Sequence, residues 1–434
     1  MERPLPDPAT PSWSDRALAA FPAGSNGEYG HPLDHLPVLA RGQGCRVWNT
    51  EGREFLDFTM AWGSVLPGHA HPAIVQAAFQ AARDGTNFAA VHRRSVELAE
   101  RIQALSPCAE RLRFVASGTE ATLLCLRVAR TATGRPRILK FTGAYHGQHP
   151  IGVAGMLHGQ PTPAPAPDPT GAGDPASLDA VLVAPFNNLE ETTRIIDAHA
   201  STLAAVIVEP LHRCLAPHPS FLGGLRHLCS RHGIALVFDE VVTGFRLAPG
   251  GAQQHYGVQP DLVAYGKALG GGFPLGAYAG RADLMEVVNE HRLPRPDYLW
   301  SASTTGGNPV SCAAALAFLD LMAEPGVYPH LHQLGQRFRQ ILSHTFAQAG
   351  IPAQILGDGP IAQFALSSQP VTDQTSWLAS DRARARLILL DLLRRGVFLN
   401  PMGTKLYLSL AHEESTLASF ADRLAQSLAS LPQP

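Results

Sequence analysis

A lysine stands where an apolar run gives way to glycine, in Leu262-Val263-Ala264-Tyr265-Gly266-Lys267-Ala268-Leu269-Gly270-Gly271-Gly272. At the end of a buried strand a lysine loses hydration. That disfavours its ammonium form and leaves an amine nucleophilic near neutral pH. The glycines let a flat ligand approach the backbone closely. Together these properties suit a Schiff base with an aldehyde cofactor. A lysine that merely ends a strand before a flexible loop has the same letters, so the reading depends on companions elsewhere in the chain.

Several companions are present. Ser117-Gly118-Thr119-Glu120 opens a helical run ending near Gly134 and fits a capping box. The same free N–H groups, hydroxyls and glycine would seat a phosphate dianion. Ile234 to Phe238 reads as a strand ending in Asp239-Glu240. A carboxylate there is either a cap or ion-pair partner, or the group that keeps a pyridine nitrogen protonated so that the ring withdraws electrons. Phe141-Thr142-Gly143-Ala144-Tyr145-His146-Gly147 offers an aromatic face between glycines, a core residue beside a turn or a stacking platform. Val206-Ile207-Val208-Glu209-Pro210 puts another carboxylate at a strand end. Ser303-Thr304-Thr305-Gly306-Gly307-Asn308-Pro309 precedes an Ala-rich helix at Ser311 to Met322, and its hydroxyls are either a helix entry or a phosphate contact.

Positioning these groups requires a particular scaffold. Continuous apolar runs such as 204–208, 234–238 and 262–265 alternate with amphipathic stretches between about 95 and 320. That pattern predicts a mostly parallel sheet covered on both faces, with functional groups at the strand C-terminal ends. Val47 to Phe58 reads as two strands around a Glu51-Gly52 turn, and Pro72 begins a helix running to Asp84. Helices are expected over 331–349, 380–395 and 413–430. The expected division is an N-terminal arm with part of a small domain (1–70), a large domain (71–325) and a C-terminal small domain (326–434). The proline-rich segment at about 157–175 is a surface spacer or a lid.

Composition narrows the function classes. Lys+Arg 34 against Asp+Glu 36, without a basic block, implies neither nucleic acid nor an anionic membrane surface. No apolar stretch approaches the ~20 residues of a membrane span. The six cysteines show no CxxC spacing, which argues against a metal site or redox motif. They read as reduced thiols of a cytoplasmic protein.

In their order along the chain, from about 35 to 425, these motifs resemble the class III pyridoxal-phosphate-dependent aminotransferases. Gly68-His69-Ala70-His71-Pro72, Asp239-Glu240-Val241-Val242-Thr243-Gly244-Phe245-Arg246 and Leu408-Ser409-Leu410-Ala411-His412 are similar to the glutamate-1-semialdehyde aminomutase branch. The resemblance implies an α/β chain of the aspartate-aminotransferase-like fold type I: a large domain with a seven-stranded, mostly parallel sheet, plus a smaller α/β domain. It also implies pyridoxal 5'-phosphate bonded to Lys267, Asp239 against the ring nitrogen and Tyr145 stacked on the ring. Ser117, Gly118 and Thr119 would hold the phosphate, with Glu209 and Val241 beside the cofactor. Thr304 would reach the neighbouring subunit's phosphate in a homodimer with shared sites.

Two segments depart from that branch at the substrate end. Where the branch has a carboxylate-binding arginine in its N-terminal arm, this chain has Gly30, near Glu28. After Glu209-Pro210, where small residues are expected, stand Leu211-His212-Arg213-Cys214. Glu28, Trp62 and Arg213 are therefore the candidate substrate contacts. Glu28 would draw an ammonium group, or else Arg213 would hold a carboxylate. The leading expectation is an aminotransferase moving an amino group between a small-molecule donor and acceptor. The alternative is an isomerase using the same cofactor, an aminomutase or a racemase.

Overall fold

The computed structural model describes residues 11–156 and 178–431. The candidate lid at 157–175 lies outside the described residues. Near the N-terminus, strands β1 (Leu39–Gln43), β2 (Arg46–Asn49) and β3 (Glu54–Asp57) form an antiparallel meander, with the expected turn at Glu51-Gly52 between β2 and β3.

Seven strands follow: β4 (Arg111–Val115), β5 (Arg137–Phe141), β6 (Val181–Ala184), β7 (Leu203–Val208), β8 (Ala235–Glu240), β9 (Leu262–Tyr265) and β10 (Gly276–Gly280). They make one sheet in the order β4-β10-β9-β8-β7-β5-β6. Only β10 runs antiparallel to its neighbours. Every residue of β6, β7, β8 and β9 is buried. A strand covered on both faces has no reason to alternate, which is why these stretches read as unbroken apolar runs. The seven-stranded, mostly parallel sheet matches the expectation.

Strands β11 (Gln354–Leu356), β12 (Ile361–Ala365), β13 (Val397–Phe398) and β14 (Lys405–Tyr407) complete the smaller part. β13 joins the N-terminal meander by pairing parallel with β3, while β11, β12 and β14 form a three-stranded sheet. One apolar cluster joins Leu56 and Phe58 to Phe338, Phe364, Leu389, Leu406 and Phe420, so segments from opposite ends of the chain share a core. The helix expected at 331–349 begins earlier, as Val327–Gln348. Pro329 falls in its first turn, where no backbone donor is needed, so the proline does not delay the start. The helix expected at 380–395 is Arg382–Arg394, capped by the Asp381 side chain on the Arg384 N–H at 2.9 Å.

Candidate functional site

The parallel strands end on one edge of the large sheet, and the chemistry-bearing residues collect there. Lys267 is two residues beyond β9, in a short 3-10 turn over Lys267–Gly270. Its backbone has φ 43°, the left-handed region that side-chain-bearing residues rarely adopt. Such strain persists where surrounding structure over-determines it and concentrates at functional positions. Lys267 is enclosed by protein yet keeps part of its surface open. Burial pushes its amine down to about 8; Asp239 and Glu209 oppose that shift, while Lys405 and Arg246 add to it.

Asp239 and Glu240 adjoin on β8, so the pleat sends them to opposite faces. Asp239 faces the Lys267 side. Its Oδ1 accepts the Val241 N–H at 3.1 Å and its Oδ2 lies 2.7 Å from His146 Nδ1. Glu240 turns away and accepts from Thr243 Oγ1 and from the Ala252 and Gln253 N–H groups. Its burial raises the carboxyl to about 7 despite those bonds. His146 is buried, and its Nε2 has no partner among the described residues. It stood in a quoted motif with no role, and its link to Asp239 crosses 93 positions of sequence.

Ser117 precedes the helix Gly118–Thr133 and accepts the Glu120 N–H at 3.2 Å. The capping box is only half formed. Glu120 Oε2 instead accepts the Ala116 N–H at 2.9 Å and the Ser303 hydroxyl at 3.0 Å. The carboxylate thereby ties the helix start to the loop carrying Thr304. The Gly118 and Thr119 N–H groups find no acceptor among the described residues. A Cβ on Gly118 would lie 2.7 Å from Val241 Cγ1, so only glycine lets the β8 end approach this helix start. Thr304 is exposed, and its carbonyl accepts from Asn87 Nδ2 at 2.9 Å. No described hydrogen bond joins it to the Lys267 group of its own chain.

Glu209 follows β7 and anchors two loops. Its Oε1 accepts the Tyr145 N–H at 3.0 Å and its Oε2 the Arg213 N–H at 3.1 Å. Burial would raise this carboxyl, but Arg213, His212 and Lys405 outweigh it and bring it to about 2. Arg213, at φ 58°, caps a tight hairpin in which His212 and Leu215 exchange backbone bonds of 3.0 and 2.7 Å. Its side chain is exposed and has no ion pair among the described residues.

In the arm, Glu28 is exposed and makes no described contact with this group. The arm residue that reaches inward is Tyr29, whose ring lies 4.9 Å from that of Trp62. Gly30 is clipped by Arg386, whose Nη2 donates to its carbonyl at 2.7 Å. Trp62 belongs to a left-handed turn: Met60, Ala61, Trp62 and Gly63 have φ of 45°, 51°, 57° and 79°. Each non-glycine residue there costs roughly 1–2 kcal/mol. Arg246 holds the turn, donating from Nη2 to the Gly63 carbonyl and from Nε to the Val242 carbonyl at 2.9 Å. Arg246 is fully buried with no carboxylate partner among the described residues, and burial lowers it to about 10. Tyr29 and Lys405 carry no motif that distinguishes them from ordinary surface or core residues, while Arg246 closes the quoted Asp239–Arg246 run but had no role there.

The aminotransferase class-III family model matches residues 29–428. The chain is 38% identical to glutamate-1-semialdehyde 2,1-aminomutase of Thermomicrobium roseum, covering 96% of each. Among solved structures, an omega-transaminase from Sphaerobacter thermophilus superposes with TM-score 0.90 at 34% identity, covering 96% of both chains. A beta-phenylalanine aminotransferase from Variovorax paradoxus superposes with TM-score 0.84 at 29% identity, covering 95% of this chain and 91% of that one. The fold is the type I fold of pyridoxal-phosphate enzymes, and the chain belongs to the class III aminotransferases, a family of enzymes.

Proposed function

We propose that this chain is a pyridoxal-phosphate-dependent aminotransferase in which Lys267 carries the cofactor. The observation supporting this most directly is the meeting of a dehydrated lysine, a His146-oriented carboxylate and a helix start with free amides on one sheet edge. These residues fit the group. The unfilled Gly118 and Thr119 amides with the Ser117 and Thr119 hydroxyls suit its phosphate. Asp239, aligned by His146, suits its ring nitrogen, and Tyr145, fixed by Glu209, suits its ring face. Val241, packed on Gly118, closes the floor between them. When bound, the group supplies an electron sink for charge released at the substrate carbon. The chain's own part is to orient Asp239 through His146 and to move a proton through the Lys267 amine, which burial brings down to about 8.

A homodimer completes the reading. Thr304 is exposed on its own chain and held by Asn87, the neighbour of exposed Phe88 in sequence, and Val75, Phe79 and Val91 are exposed as well. An apolar stretch of that kind suits a second copy. Six buried, unbridged thiols suit a cytoplasmic location.

Isomerisation is the second reading, favoured by relatives of 36–39% identity that are named glutamate-1-semialdehyde 2,1-aminomutase. Gly30 and Arg213, at the substrate end, favour transfer. The holoenzyme given one amino donor and no acceptor separates the two. A transferase converts one equivalent per site and resumes when a keto acid is added. Continuous turnover of the single substrate would overturn the transferase reading.

A further inference from the structure

Lys405 enters the same recess from the smaller part of the molecule. It lies on β14, opposite Gln363 of β12. Leu406 between them points into the core with Phe58 and Phe420. By the two-residue period of a strand, Lys405 and Tyr407 share the other face. Tyr407 there packs against Met60, Leu211 and Cys214, and Lys405 Nζ lies 5.8 Å from the Tyr407 ring centre. Lys405 therefore projects along the wall that also carries the Arg213 hairpin.

The charges of this wall do not balance. Lys405 and Arg213 have no ion pair among the described residues. The carboxylate they share is Glu209, whose two oxygens are each committed to a backbone N–H, of Tyr145 and of Arg213. Around Lys267, the cations Lys405, Arg213 and Arg246 stand against the carboxylates Asp239 and Glu209. Arg246 is fully buried, with Nε and Nη2 on carbonyls and Nη1 without a partner among the described residues, so Lys405 and Arg213 are the cations with open surface. A partly enclosed recess with surplus positive charge attracts a carboxylate and opposes a second ammonium. Glu28, the one acid that would have drawn an ammonium, is exposed on the arm.

We infer that Lys405 and Arg213 together seat the substrate's carboxylate, so that the amino donor is an amino acid and not a simple amine or diamine. This rests on the aminotransferase reading and names the substrate class of that site. Arg213 supplies a planar fork on a rigid hairpin, and Lys405 a point charge from the facing sheet, so the seat closes only when the two parts of the molecule are together.

Holoenzyme would be mixed with matched donors that differ by the carboxylate: alanine against ethylamine, and 3-amino-3-phenylpropanoate against 1-phenylethylamine. Loss of the bound cofactor's visible absorbance gives each rate. Binding of the inert 3-phenylpropanoate is read separately by the same absorbance and by thermal shift, with chloride as control. Each acid should outpace its amine, and Lys405→Met or Arg213→Met should lower that ratio by about ten-fold or more, the worth of a charge-assisted hydrogen bond. Lys405→Arg should restore most of it. Equal rates for acids and amines, or a ratio and 3-phenylpropanoate affinity unchanged in both variants, would overturn the proposal. Because Arg213 is exposed, its variant keeps the test open even if Lys405→Met unfolds. If 3-phenylpropanoate binds the wild type but not the variants while no donor reacts, the aminotransferase reading falls and the carboxylate seat stands.

Discussion

The Lys267 amine is pushed by burial well below the ordinary range of a lysine, and it can be observed without any substrate. In cofactor-free protein its acylation by an amine reagent should rise through pH about 8, where burial places its titration, and not near 10.5. Below that pH the amine is protonated and unreactive; above it, labelling should plateau. Peptide mapping after borohydride reduction of the holoenzyme should find the label on Lys267, and a label on another lysine would count against the whole site. Asp239→Asn keeps shape but removes charge, so turnover should fall by about a hundred-fold or more, by analogy with general acid–base losses, with cofactor binding affected less. His146→Phe should lower turnover by a smaller factor and shift its pH profile, since it acts through Asp239. Lys267 and Asp239 were legible because a strand end announces itself in sequence. His146 was not, because its carboxylate is remote in the chain and only the sheet order brings β5 and β8 to either side of β7. Arg213 stood out in the sequence because it replaces a small residue, but Lys405 shows the same gap as His146: nothing in a single lysine tells which acids it will fail to meet.

Among the elements, the seven-stranded sheet was readable because fully buried strands leave unbroken apolar runs. The left-handed turn at Met60–Gly63 was not. Its letters, Met-Ala-Trp-Gly, hold one glycine where four residues take positive φ, and the conformation is enforced from outside by Arg246 and Tyr407. Gly63→Ala would place a Cβ 2.7 Å from the Tyr407 ring at φ 79°, and should cost about 1–3 kcal/mol in a urea melt. A loss of only a few tenths would mean the turn relaxes freely. The half-formed capping box at Ser117 shows the opposite limit of sequence reading. The motif named the right residues, but Glu120 had a better use, since holding Ser303 orders the loop that carries Thr304.

At the scale of the molecule, the proposed shared site makes a sharp complementation prediction. Lys267→Ala should be inactive, and Thr304→Asp should be crippled by placing a carboxylate beside a phosphate. A mixed dimer of the two rebuilds one wild-type site and should recover about half the activity per dimer, by simple site counting. Phe79→Asp should shift the protein toward monomer in sedimentation and lose activity with it.

The shared core of Leu56 and Phe58 with Leu406 and Phe420 also has a consequence for biosynthesis. During vectorial synthesis β1 to β3 emerge before the large sheet, yet β13, which seals β3, and the helix Glu414–Ser430, which covers Phe58, emerge after it. The large sheet can close while the early hairpin waits with its apolar face open to chaperones. The Lys405 wall of the recess is built from that later stretch, so the residues that we assign to choosing the substrate fall into place after the sheet that carries Lys267.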